Sequence, residues 1–140
     1  MSQVNIGGVL RGGVAAGVIM NISEFILNVP VVGAQVEAEM ALRNLPEPSG
    51  AQIAVFVGLT AVLGFITVWL YAAIRPRLGP GPTSAMCAGL IVWACSYLYS
   101  AITLGTIGFQ SMGLVVTIII WSLVEMLIAS AVGGYFYTES

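Results

Sequence analysis

The sequence predicts an all-α integral membrane protein, a bundle of four transmembrane helices forming one domain over residues 1–140. Three observations carry this. Of 140 residues, 59% are apolar and only 7% are charged, whereas a soluble domain carries about 25% charged residues. The mean hydropathy is +1.01. The apolar residues also gather into four runs, each close to or above the ~20 residues that a helix needs to cross a hydrocarbon core. Nothing in the chain shows the alternating segments, about ten residues each, of a membrane β-barrel.

The first span is read over about 12–32. Arg11 precedes its apolar part and can snorkel to the headgroups. Gly8/Gly12 and Gly13/Gly17 have the small-xxx-small spacing that lets a second helix approach closely. Pro30 removes a backbone donor and is expected to kink or end the helix. Asn21, Glu24 and Asn28 interrupt the run, which is longer than a signal-peptide core, so it reads as a retained helix despite Val32-Gly33-Ala34.

Residues 33–50 form a polar outer loop with Glu37, Glu39, Arg43 and Glu47. Val36, Met40 and Leu45 on one face suggest a short interfacial helix. The second span, about 51–74, is uncharged and ends on Tyr71 and Arg75 as interface anchors. Residues 75–82 hold three prolines and two glycines, which predicts a stiff non-helical turn. The third span, about 83–104, takes Thr83 or Ser84 as N-cap. The fourth, about 112–136, ends on an aromatic belt at Tyr135-Phe136-Tyr137. Arg75 and Arg77 place their turn in the cytoplasm and Arg11 the N-terminus, so both termini are expected to be cytoplasmic.

The chain has four Arg, no Lys, six Glu, no Asp and no His. Lack of His removes the commonest metal ligand and general base, and four scattered arginines make no nucleic-acid footprint. No metal, cofactor or catalytic residue is therefore expected. Cys87 and Cys95 lie eight residues apart on one helix, too far along it to pair easily.

Two acids stand out. Glu24 lies twelve residues past Gly12, about 18 Å along a helix and near the middle of a ~30 Å core. Glu125 lies thirteen residues past Met112, again near the middle. An intramembrane acid is costly and is expected to face the bundle interior with a partner. No Arg, Lys or His lies within the spans to serve. At 100° per residue Gly17, Asn21, Glu24 and Asn28 share a sector of about 60°, which makes the two amides candidate partners of Glu24. Ser122, Glu125, Ala129 and Gly133 share another. Thr60, Gly64, Thr67 and Tyr71 stripe the second span, and Ser96, Ser100 and Thr103 the third, beside Trp93 and Tyr97. The polar-core candidates are thus Glu24, Glu125, Asn21, Asn28, Ser122, Thr67, Ser96 and Tyr97, and the packing candidates Gly13, Gly17, Ala129 and Gly133. If the acids meet, at least one should hold a proton, because adjacent carboxylates resist joint ionisation.

Three stretches carry a resemblance: Asn21-x-x-Glu24-x-x-x-Asn28, Trp69-Leu70-Tyr71-Ala72-Ala73-Ile74-Arg75-Pro76-Arg77-x-Gly79-Pro80-Gly81-Pro82, and Trp121-x-Leu123-Val124-Glu125. Together they resemble a group of small bacterial four-helix membrane proteins to which no activity is attached. The resemblance implies a bacterial inner-membrane location.

The residues leave two main readings open. One is a proton- or cation-linked transport protein, oligomeric because four helices enclose little lumen. The other is an accessory subunit whose small and polar faces only hold helices together in a larger complex. Chemistry on a lipid or quinone is the weakest reading, for want of an activated nucleophile. The bilayer is the one certain partner; an ion or small-molecule ligand is left open.

Overall fold

A computed structural model describes residues 3–138, and among them no residue is in a strand. Helix α1 (Ile6–Ile26) runs into a π-helical turn, Leu27–Val31. The short helix α2 (Gly33–Leu42) lies outside the spans. Helix α3 covers Gly50–Leu78. The third span is helix α4 (Pro82–Trp93), a π-helical turn (Ala94–Leu98) and helix α5 (Tyr99–Thr106). Helix α6 covers Met112–Phe136. Four continuous segments, 6–31, 50–78, 82–106 and 112–136, are long and apolar enough to cross a membrane.

Several boundaries differ from the sequence reading for identifiable reasons. Pro30 does not end the first helix. It sits in the π turn, where the Val32 N–H reaches back five residues to the Leu27 carbonyl at 2.9 Å. Residues 75–82 are not all turn: α3 continues through Pro76 to Leu78, and only 79–81 is non-helical. The permissive residues are Gly79 and Gly81, at φ +85° and +126°, a region other residues rarely enter. Pro82 opens α4 at a position where its missing N–H costs nothing, so Gly81 and not Thr83 or Ser84 precedes the helix. Ser49 caps α3 in a reciprocal box with Gln52.

Ala16, Met20, Val68, Met126 and Ala129 form the centre and are almost fully buried. Close approach of backbones makes this possible. A Cβ at Gly64 on α3 would meet the Gly17 amide of α1 at 2.7 Å, and one at Gly133 on α6 would meet the Gly12 carbonyl at 3.1 Å. Gly13 lies against the Phe65 ring. The small-residue faces of α1 are thus used inside the chain. Tyr71 and Tyr137 are not interface anchors. Both are buried, packed edge-to-face at a centroid separation of 5.8 Å, while Tyr135 and Phe136 are exposed.

At one end, Arg11 and Asn5 bind Thr138, which holds the two ends of the chain together. At the other, α2 closes over the 107–111 turn. Arg43 donates to the Gly108 carbonyl at 3.1 Å and stacks on Phe109. Glu39 accepts from the Ser111 hydroxyl and, at 3.2 Å, from the Ser111 N–H at the start of α6. The Ser111 hydroxyl above all holds the Glu39 carboxyl below its ordinary value of 4.5; it outweighs desolvation, and the Ser111 N–H adds a lesser effect in the same direction.

Two predictions follow the packing and the clamp. Gly64→Leu should destabilise the bundle by roughly 1–3 kcal/mol through overpacking, whereas Gly58→Leu should change little, because a Cβ at Gly58 meets nothing within 4 Å; denaturation in mixed micelles reads both. Glu39→Gln should cost about 0.5–1 kcal/mol at neutral pH, the value of an anion at a helix N-terminus. A depressed carboxyl contributes stability above its unfolded value and loses it on protonation. The melting difference between Glu39→Gln and the parent should therefore close as the pH falls below 4.5; a difference that persists in acid would rule out a role for the ionised carboxyl.

Candidate functional site

Glu24 is on the last turn of α1 before its π turn, Glu125 is mid-α6, and Tyr97 is on the π turn between α4 and α5. The Tyr97 hydroxyl lies 2.8 Å from Glu24 Oε1 and 3.1 Å from Glu125 Oε1. The two acids are therefore joined through one phenol oxygen. Asn28 Nδ2 donates to Glu24 Oε2 at 2.8 Å, and also to the Glu24 carbonyl. Both π turns contribute a residue to this cluster, Asn28 and Tyr97. Such turns are uncommon and frequent at functional sites.

A proton count follows from the geometry. Tyr97 carries one hydroxyl hydrogen and can donate to only one carboxylate; towards the other it must accept, so that carboxyl carries a proton. Splitting one hydrogen between two ionised acids would leave like charges adjacent in an apolar bundle. Glu24 has donors at both oxygens, Tyr97 and Asn28, as an ionised carboxylate requires. Glu125 is 4% exposed, and its Oε2 has no hydrogen-bond partner among the described residues. Ser23 lines the same groove as Glu125 but makes no hydrogen bond to Oε2. The arrangement is thus Glu24 carboxylate, Tyr97 phenol and Glu125 carboxylic acid, with net charge of about −1.

This cluster can shift its charge without leaving its geometry. The Glu125 proton passes to the Tyr97 oxygen as the Tyr97 proton passes to Glu24. Two O–H bonds break, two form, Tyr97 ends neutral, and the negative charge has moved from α1 to α6.

Indole groups brace the surroundings. Trp121 donates to the Ser23 hydroxyl at 2.9 Å, and Trp93 to Ser122 at 3.0 Å. Ser122 in turn donates to the Ile118 carbonyl. Thr67 and Ser96 bond back to the carbonyls of Leu63 and Val92 and take no part in the cluster. Asn21 does not join Glu24; its amide binds the Gly17 carbonyl at 3.0 Å and crosses to Val57 of α3. Gly13, Gly17, Ala129 and Gly133 serve packing around it. Ser23 and the two π turns went unread in the sequence. Ser23 gave no signal beyond adjacency to Glu24.

The π turn also moves the polar face of the third span. Ser100 and Thr103 were expected to point inward, yet both are exposed, and Ala101 is buried instead. One extra residue in the turn, marked by the Tyr99 N–H bonding Ala94, rephases everything after it by one position.

Two grooves reach the cluster from different sides. One, of about 490 Å³, lies between α1 and α6 and touches Ser23, Trp121 and Glu125. The other, of about 560 Å³, lies between α3 and the third span and touches Glu24 and Tyr97. No group of three or more metal-ligating side chains occurs among the described residues.

Four apolar spans around a polar cluster define an integral membrane protein of the all-α class. Comparison with protein-family models, with curated proteins and with solved structures finds no match to this chain.

Tyr97→Phe should leave the acids without their shared donor and cost roughly 1–3 kcal/mol, the penalty of a buried unsatisfied group. Infrared spectra of the parent at neutral pH should show a protonated-carboxyl stretch that moves to higher wavenumber in Tyr97→Phe and vanishes in Glu125→Gln. A parent spectrum without that band would defeat the proton count.

Proposed function

We propose that this is a proton- or cation-linked transport protein of the bacterial inner membrane, with both termini cytoplasmic. The observation that carries the reading is the single hydroxyl shared by two carboxyls within the spans, Glu24 and Glu125. Intramembrane acids in contact mark proton and ion pathways by default. The relay lets one negative charge alternate between two carboxyls that line different grooves, Glu125 one and Glu24 the other. Orientation rests on Arg11, Arg75 and Arg77, which load one end of the bundle with positive charge. The centre of one chain is filled by Met20, Val68 and Met126, which supports a homo-oligomer as the working unit in this reading.

One observation favours the second reading, an accessory subunit of a larger membrane complex. Residues 50–59 of α3 are exposed on every side, which leaves a length of helix for another protein to cover.

Reconstituted vesicles separate the two. Purified protein should carry a proton or monovalent-cation flux that Glu24→Gln and Glu125→Gln each reduce by about tenfold or more, because either substitution removes a proton-exchanging intramembrane carboxyl from the relay, with helical content unchanged. Flux unaffected by both substitutions would overturn the mechanism. No flux from the folded protein alone would favour the accessory reading.

A further inference from the structure

The groove between α3 and the third span has the make-up of a ligand site. Its volume of about 560 Å³ is within the range of small-molecule pockets, about 300–1,000 Å³. Phe56, Leu59, Leu63, Leu104 and Ile118 supply apolar walls, and the groove ends on Glu24 and Tyr97. It opens sideways because α3 leaves the bundle there: residues 50–59 are exposed all round, and α3 packs on α1 and α4 with no comparable contact to α5. An apolar molecule dissolved in the bilayer can enter without crossing water.

The polar groups at its end select the ligand's charge. Glu24 is the ionised member of the pair by its donors, and no cationic side chain lines the groove. Glu125 and Tyr97 are the titratable groups that face Glu24; α3 lines the groove with Phe56, Leu59, Thr60 and Leu63, none of them titratable, and Cys95 on the same π turn does not line it. The Gln110 Oε1, also at this groove, is buried and lacks a donor among the described residues. Two acceptors and an unbalanced negative charge call for a cation that carries N–H donors. Besides Glu24 the groove offers only neutral oxygens, from Thr60, Ser96, Tyr97, Ser100 and Gln110. A single carboxylate among mostly apolar walls suits an organic ammonium ion better than a divalent metal ion, which takes several charged oxygen ligands.

We propose that this groove binds a hydrophobic organic ammonium ion, with its charged nitrogen against Glu24 and its apolar body along Phe56, Leu59 and Leu104. This names the substrate class for the transport reading and rests on it. Movement of the negative charge to Glu125 through Tyr97 would then remove the ligand's counter-charge and release it, so that a proton and the ammonium ion compete for Glu24.

The test uses the full chain in lipid nanodiscs, with phenylbutylamine as probe and phenylbutanol as its neutral counterpart. The amine should bind at least about tenfold tighter than the alcohol, the scale of a desolvated charge-assisted hydrogen bond. Glu24→Gln should erase that preference. Leu104→Trp, which fills the groove but keeps Glu24, should weaken the amine, whereas Thr117→Trp in the groove between α1 and α6 should not. Equal binding of amine and alcohol, as for a groove that simply holds lipid chains, would overturn the proposal. So would a preference that survives Glu24→Gln, or one lost only in Thr117→Trp. Vesicle flux separates this from the transport reading: amine preference without any flux defeats transport and leaves the site, while Glu-dependent flux without amine preference defeats the site and leaves transport.

Discussion

A carboxylate in the middle of an apolar bundle, with no basic side chain within reach, is the constraint to which the rest of this structure answers. The four arginines lie at or beyond the ends of the spans, so Glu24 and Glu125 must be satisfied by neutral donors and by one another. Tyr97 resolves the problem with one hydroxyl, 2.8 Å from one acid and 3.1 Å from the other. Sharing leaves a single negative charge where there would otherwise be two. The excess charge rests where donors are most plentiful, on Glu24, and the acid lacking donors remains neutral. The same scarcity explains why Trp93 and Trp121 spend their indole N–H groups on Ser122 and Ser23: a buried N–H in lipid needs an acceptor as much as a carboxylate needs a donor.

Placing three side chains from three spans around one oxygen demands close packing and local departures from the regular helix. Glycine supplies the first. Gly12 against Gly133 and Gly17 against Gly64 bring backbones together on the side of the bundle away from the loop, and van der Waals contact there replaces the hydrophobic drive that lipid does not provide. The π turns supply the second. One absorbs Pro30 and carries Asn28 to Glu24; the other carries Tyr97 between the acids. Tight packing at one end leaves the other end looser, where α3 separates from α5 and opens the groove to Glu24. The clamp of α2 on the 107–111 turn holds that looser end through Glu39, Arg43 and Ser111.

Much of the candidate site was legible because intramembrane acids are rare and costly. Two glutamates at one depth on two spans, without basic partners, pointed to a protonated pair, and the wheel put Asn28 on the face of Glu24. The same wheel also put Asn21 there, but a sector shows only direction from an axis, and the Asn21 amide reaches its own helix and α3 instead. Tyr71 and Tyr137 read as interface residues because aromatic residues near span ends usually are. Their rings find each other across the bundle, and no linear pattern records that.

The sequence by itself determined the class of protein and the chemistry available to it. Composition and run length force four apolar helices, since only backbone that satisfies its own hydrogen bonds can enter lipid, and the absence of His, Lys and Asp confines the polar interior to acids, amides and hydroxyls. Tertiary structure decided which of these groups meet. Periodicity assumes one pitch throughout, whereas the turn at Ala94–Leu98 inserts an extra residue and rephases the third span, burying Ala101 in place of Ser100 and Thr103. That shift depends on packing among several helices, and so does the placing of the Tyr97 oxygen between Glu24 and Glu125.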